Sequence, residues 1–371
     1  MSSTLQIQPV ARKVTAISWL PPQGGTAYTD TDLYFVTGSG GKHKELVLWT
    51  TRNPEFPNPS PKHSADARTN ALATVITKVS HDGDVQDIIG LSSSVLVTAS
   101  SFGTLSIYNV DTENTSDKCI WLRESVTAHK FRNGESAVAT SLAAQPSGSA
   151  DKEIASCGED GRIAFMQASR ADTLQSYEVD STVITDICWP TAAQVAVTTR
   201  GGQIKQFDRR TPNEVAAVFV DPSNTHAFEC ISAHPSQSHR LATGTSSGTI
   251  LLWDVRNPRM PVSEAFHVHA TNVWQVAFDP TDASRIISCS EDATLAVTQW
   301  VAEGSAGASA LGVKPERTRG VRRLSSMFNA LSVNCFDACP YTRTNLLIAG
   351  SDSGNLLMDN GTDSEFGYDF H

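Results

Sequence analysis

The 371-residue chain has no excess of positive charge, no apolar run of membrane-spanning length and no paired cysteine pattern. Each absence removes a class of function. Lys and Arg number 29 against 39 Asp and Glu, a formal net charge of −10. Affinity for nucleic acid is dominated by phosphate neutralisation, so a body of this sign is not expected to bind DNA or RNA directly. A helix that crosses a bilayer needs about 20 consecutive apolar residues, and no run approaches that length, so no membrane insertion is expected. The opening Met-Ser-Ser-Thr-Leu-Gln lacks the basic and apolar parts of a secretory leader, and the chain reads as soluble and intracellular. The seven cysteines, Cys119, Cys157, Cys188, Cys230, Cys289, Cys335 and Cys339, are odd in number and scattered. They read as buried free thiols of a reducing compartment. Only Cys335 and Cys339 are close, and no second Cys or His pair stands near them at zinc-ligand spacing, so neither a metal nor another cofactor is expected. A phosphate-cradling P-loop and a dinucleotide fingerprint are missing too.

Apolar residues do not recur with a helical period, which excludes a helical solenoid. What recurs is a phrase: a β-rich run, a Gly/Ser/Asp turn, then a second run ending in an apolar or aromatic residue. The clearest copy is Leu241-Ala-Thr-Gly-Thr-Ser-Ser-Gly-Thr-Ile-Leu-Leu-Trp253-Asp254; others end at Trp49, Tyr108, Met166, Phe207, Trp300 and Met358. First strands precede them, as in Val14-Thr-Ala-Ile-Ser-Trp19, Val85-Gln-Asp-Ile-Ile89, Val183-Ile-Thr-Asp-Ile187, Val273-Trp-Gln-Val-Ala-Phe278 and Ser332-Val-Asn-Cys-Phe336. The dipeptides Asp160-Gly161 and Ser353-Gly354 suit tight hairpins. Weaker fourth strands are expected at Cys119-Ile-Trp-Leu122 and Val215-Ala-Ala-Val-Phe219. The repeat spacing of roughly forty to sixty residues fits four-stranded propeller blades carrying insertions. The fold class is therefore all-β, a single seven-bladed propeller over 1–371. The fourth strand of the last blade needs a donor, and Leu5-Gln-Ile-Gln alternates like an edge strand, so the N-terminal strand is expected to close the ring.

Two stretches interrupt the pattern and read as surface loops: the Pro-rich segment at about 51–70, and 302–327 with its basic cluster Lys314, Arg317, Arg319, Arg322 and Arg323. A tail over 359–371 is expected to be mobile. Ser60, followed by Pro61, and Ser325, in Arg322-Arg-Leu-Ser-Ser326, are possible phosphosites. Phosphate at Ser325 would bring about −2 charge beside two arginines; the plain alternative is a solvated loop.

The repeat resembles the WD-repeat β-propeller family, whose motif joins a blade-entry His, a Ser or Thr on the second strand, an Asp in the turn and a Trp on the third. His269, Ser288 and Asp292 match in blade six, with Thr298 where the Trp is usual; blade five has Thr243 and Trp253 but Ser247 for Asp; blade three has Ser156 and Asp160 but Met166 for Trp. The resemblance implies that such His–Ser–Asp sets are structural relays of buried hydrogen bonds rather than catalytic triads. Gly244-Thr-Ser-Ser-Gly248 fits a nucleophile elbow in spelling only, because a strand, not a helix, follows it. No catalytic residue is assigned, and the chain is expected to be no enzyme.

An ordered set of phrases is closer still. It comprises His81-Asp-Gly-Asp-Val-Gln-Asp-Ile88, Gly158-Glu-Asp-Gly-Arg-Ile163, Trp253-Asp-Val-Arg-Asn-Pro-Arg-Met-Pro-Val-Ser263, Val273-Trp-Gln-Val276, Cys289-Ser-Glu-Asp292 and Leu331-Ser-Val-Asn334. From about 14 to 358 the chain resembles the WD-repeat nucleoporins of the Y-shaped outer-ring complex. That likeness implies a non-enzymatic scaffold of the nuclear pore at the nuclear envelope. It would bind other nucleoporins, an α-solenoid one of the short arm among them, support pore assembly and the transport of mRNA and protein, and visit kinetochores in mitosis. The alternative is a substrate receptor of a cullin-type ubiquitin ligase, because Trp253-Asp-Val-Arg256 resembles the box with which such receptors meet their adaptor. Under either reading the contact residues belong on the rim where first strands begin. By strand alternation Gln86 and Trp274 face the opening, with Asp84 and Asn272 two residues earlier. Trp274 is the natural anchor of an interface, unless it packs under a neighbouring loop.

Overall fold

A computed structural model describes residues 5–22, 32–54, 72–112, 119–146, 151–211, 214–220, 226–262, 266–301, 317–324, 331–342 and 346–359. Among these, 28 strands form seven four-stranded antiparallel sheets, six of them meanders from an inner to an outer strand and the seventh completed by the first strand of the chain. The inner strands are Val14–Trp19, Val85–Ser92, Ala139–Ala144, Ile184–Thr191, Phe228–Ala233, Val273–Phe278 and Val333–Ala338, in blades 1 to 7. Each packs against the next, and that of blade 7 against that of blade 1, so the sheets form a seven-bladed ring around a channel. No described helix is long and apolar enough to cross a membrane.

The apolar residues of the repeat phrase explain why separate sheets become one body. Second and third strands are apolar on both faces because a neighbouring blade covers each face. The core is accordingly divided into seven clusters, one per interface. Val97, Leu105 and Ile107 of blade 2 meet Leu142, Ile154 and Met166 of blade 3, for example. Trp253, fully buried, takes Phe219 of blade 4 edge-on at 6.2 Å. Burying one such side chain contributes about 3 kcal/mol.

The ring closes as its sequence suggests. Leu5–Pro9 is the outer strand of blade 7 and pairs with Asn355–Asp359 from Leu5↔Asp359 to Pro9↔Asn355. Pro9, which has no N–H to give, sits at that strand's end. All seven cysteines are buried free thiols.

Loop boundaries need correction. The outer strand of blade 6, Arg317–Arg323, lies inside the stretch expected to be loop over 302–327, paired with Leu295–Val301. An edge strand hydrogen-bonds on one side only and tolerates charge, so a basic run is no bar to pairing there. Thr51 and Arg52 finish the strand Glu45–Arg52 instead of opening a loop, and Asp359 finishes Asn355–Asp359 instead of opening a tail. Ser60, Ser325 and 360–371 lie outside the described residues.

Candidate functional site

Every inner strand carries the same irregularity. One residue after its first, the register shifts, between Val14 and Ala16, Val85 and Asp87, Ala139 and Ser141, Ile184 and Asp186, Phe228 and Cys230, Val273 and Gln275, and Val333 and Cys335. A bulge re-aims the side chain of its extra residue. Here all seven, Thr15, Gln86, Thr140, Thr185, Glu229, Trp274 and Asn334, turn into a cavity of about 390 Å³ in the channel. Six are polar and one is an indole.

The collar also ties blade to blade. Thr15 Oγ1 donates to Val85 O at 2.6 Å, Thr140 Oγ1 to Ile184 O at 2.8 Å, Thr185 Oγ1 to Phe228 O at 2.7 Å and Asn334 Nδ2 to Val14 O at 2.9 Å. In each case the acceptor opens the next blade's inner strand. Trp274 departs from the pattern: its Nε1 donates to Ser332 Oγ at 2.9 Å, and the ring remains 39% exposed. Leu331 beside it is 52% exposed, so an apolar spot sits at the boundary of blades 6 and 7.

The other rim candidates are bound more locally. Asp84 accepts from Gly41 N at 3.1 Å and lies 3.8 Å from Lys44 Nζ. Asn272 Nδ2 donates to Glu291 Oε2 at 2.9 Å, and Gln86 is half-buried in the channel wall. Gln86 and Trp274 thus share the collar, on blades 2 and 6, while Asp84 and Asn272 belong to separate loop contacts.

The relays are buried. His269 Nε2 meets Ser288 Oγ at 2.7 Å, while its Nδ1 meets Thr294 Oγ1 at 2.7 Å and Asp292 Oδ2 only at 3.4 Å, so a threonine joins the expected set. Burial opposes the charge on Asp292, but bonds from His269, Thr294 and Ala270 N hold its carboxyl below the usual range. The most complete relay lies in blade 3, at a histidine that pattern reading passed over. His129 bridges Ser156 Oγ at 2.9 Å and Asp160 Oδ1 at 3.0 Å. It was hidden because a hairpin, closed by the Lys130↔Ser136 bridge, separates it from its inner strand. Both histidines donate their own N–H to the carbonyl of a turn glycine in the preceding blade, Gly103 for His129 and Gly248 for His269. Asp180 holds the same place at Gly161 O ahead of blade 4, and pairs with Lys205 Nζ at 2.8 Å. The glycines are obligatory: Gly161 has φ +71°, and a Cβ there would stand 2.1 Å from Asp180 O.

A seven-bladed ring whose candidate residues form a collar and whose His–Ser pairs are sealed in the interior is built like a docking platform. The model of the family described as Nucleolar protein 10-like, N-terminal domain, a β-propeller, matches residues 147–354, more than half of the chain. The chain belongs to this propeller family. Among individual proteins, the chain is similar to Nucleoporin Nup43 of Homo sapiens, 27% identical over 77% of the chain and 73% of that protein. It is 26% identical to Nucleoporin Nup43 of Mus musculus with the same coverage. Methylosome protein WDR77 of Xenopus laevis is 22% identical over 67% of the chain and 68% of its own length.

Below the collar runs a second belt that sequence reading missed. Acceptors on one inner strand take a backbone N–H of the next. Asp87 Oδ2 accepts from Leu142 N at 2.8 Å, Asp186 Oδ2 from Ile231 N at 2.7 Å, Gln275 Oε1 from Phe336 N at 2.8 Å and Asp337 Oδ2 from Trp19 N at 2.8 Å. Between blades 3 and 4 the hydroxyl of Ser141 donates to Asp186 Oδ1 at 2.6 Å. Burial pushes Asp87 and Asp337 up to about 7 and Asp186 to about 6, against the bonds they accept. These carboxyls hold blades together; Asp87 and Asp186 stand two places past their strand's first residue and Asp337 four, positions that gave no such signal in a single sequence.

Proposed function

We propose that this chain is a non-enzymatic scaffold of the nuclear pore outer ring, binding other nucleoporins and so supporting pore assembly and nucleocytoplasmic transport. The likeness to human and mouse Nup43 along three quarters of the chain carries this reading. The bulge collar supports it physically, because a ring tied by collar side chains at four of its seven blade boundaries, and at a fifth through Trp274, presents a surface that loses little entropy on docking. The partner is an α-solenoid nucleoporin of the short arm, and the exposed face of Trp274 with Leu331 is the anchor it meets. The protein resides at the nuclear envelope and joins kinetochores in mitosis, without touching nucleic acid or entering the bilayer. Affinity purification of the tagged chain, with imaging of the same tag, tests this. Outer-ring nucleoporins in the eluate and a nuclear rim are expected; their joint absence overturns the reading.

A ligase-receptor role is the second reading, and one observation favours it. Arg256 forks onto Asp254, with Nε to Oδ1 at 2.8 Å, and its side chain stays largely exposed. The adjacent blade repeats the arrangement: Arg210 forks onto Asp208 with Nε to Oδ1 at 2.9 Å. Two such forks in neighbouring blades offer an adaptor a paired contact. Recovery of a ligase adaptor that is lost with Arg210→Ala and Arg256→Ala together would favour this reading over the scaffold.

A further inference from the structure

The place held by His129, Asp180 and His269 ahead of their blades is held ahead of blade 1 by Val10. Its N–H donates to Gly354 O at 2.8 Å, as the others do to their turn glycines. The second- and third-strand members of the blade 1 relay are present, with Trp49 Nε1 donating to Thr37 Oγ1 at 2.9 Å, while the turn Gly40-Gly41-Lys42-His43 carries no Asp. A valine reaches neither group. The space an imidazole would fill opens into a cavity of about 400 Å³ between the closing strand Leu5–Pro9 and the outer strand of blade 1, Ala73–Ser80.

Its walls are apolar: Val10, Val14, Val47, Trp49 and Val75. Arg12 and Lys78 also line it, and no carboxylate is among the described residues that line it. Arg12 is paired with Glu45, and Lys78 is exposed. In a chain of net charge −10, an apolar cleft with a cationic lip is out of keeping with the rest of the surface. It fits an extended acidic segment bearing aromatic residues.

The chain holds such a segment within reach. Residues 360–371 contain Asp363, Glu365 and Asp369 with no Lys or Arg, and place Phe366, Tyr368 and Phe370 at alternate positions. In an extended strand those three rings share one face. The segment follows Asp359, which pairs with Leu5 at the far end of the closing strand. From there to Pro9 is about 17 Å, and the six residues 360–365 span up to about 20 Å. Phe366 can thus arrive at the cleft mouth as the spacer runs out.

We propose that the cleft between blades 7 and 1 is the seat of the chain's own C-terminal segment, its aromatic residues entering the space that a relay histidine occupies elsewhere and its acidic residues meeting the Lys78 lip.

A photoreactive p-benzoylphenylalanine at position 368 of the full chain, irradiated in dilute solution and mapped by mass spectrometry, tests this. Cross-links within one chain to 10–12 or 74–78 are expected. Lys78→Glu, at an exposed position that leaves the circular dichroism spectrum unchanged, should lower their yield by about threefold, with a similar loss in high salt. Cross-links elsewhere in the chain, or none, overturn the proposal. Cross-links between chains overturn it as well, by assigning the cleft to a second copy. Neither result bears on nucleoporin binding, which is read separately by purification.

Discussion

At one position in each blade the collar uses a threonine, an asparagine, a glutamine or a glutamate, and at Trp274 it uses an indole. The three threonines and Asn334 reach the neighbouring strand and are consumed by it, whereas the indole spends its N–H on Ser332 and leaves Trp274 39% exposed. Trp274→Ala should weaken binding to the outer-ring partner by about 2 kcal/mol and move the thermal midpoint by no more than a degree or two. A large fall in the midpoint would assign the ring to packing instead. The carboxyls beneath carry a different prediction. Asp87 and Asp337 are raised to about 7 from the ordinary 3.8. The folded chain therefore keeps protons that the unfolded chain has released. That stabilising contribution is full below pH 3.8 and is lost as pH rises through about 7. Burial lowers His81 and His234, which works in the opposite direction, but only below their unfolded value of 6.5. From pH 6.5 to 8 the aspartates decide the sign, and stability should fall by about 1 kcal/mol for each. Asp337→Asn keeps an oxygen for Trp19 N and should flatten the denaturation profile; an equally steep profile in that variant contradicts the assignment.

The closing strand is short, but all five of its residues are in register with Asn355–Asp359, and Gln8 also exchanges two hydrogen bonds of 2.9 Å with Ala73 of blade 1. Removing residues 2–10 should lower the thermal midpoint by several degrees; an unchanged midpoint would mean that this joint is dispensable. That strand was legible because Leu5-Gln-Ile-Gln alternates and because the last blade lacked a fourth member. Third strands were legible from their terminal Trp, Phe or Met, which must fill an interface. The outer strand Arg317–Arg323 was not, since an edge strand is free of the apolar demand that makes the others visible. The repeat count required inner strands in blades 3 and 5 as well, but the bounds of Ala139–Ala144 and Phe228–Ala233 were not legible, since inner strands there carry small and polar residues beside the channel. With them went Thr140 and Glu229 of the collar, and the whole aspartate belt. Its partners are consecutive in space but 45 to 61 residues apart in the chain, from Asp186 to Ile231 up to Gln275 to Phe336, and 318 apart for Asp337 and Trp19 across the ring closure.

Each apolar cluster belongs to two blades, and no blade has a core of its own. An open row of such units could fray from its ends, but a ring offers no end. Urea unfolding followed by tryptophan fluorescence and by far-UV circular dichroism should therefore give coincident transitions; separated midpoints would show blades melting independently. The pairing of Leu5–Pro9 with Asn355–Asp359 also sets a clock. During synthesis the first strand emerges long before its partner, and at about 5 to 20 residues per second it waits tens of seconds, single and unprotected, while six blades assemble behind it. The ring thus cannot close until Asn355–Asp359 has been made, so the first described strand to leave the ribosome is the last to find its partner.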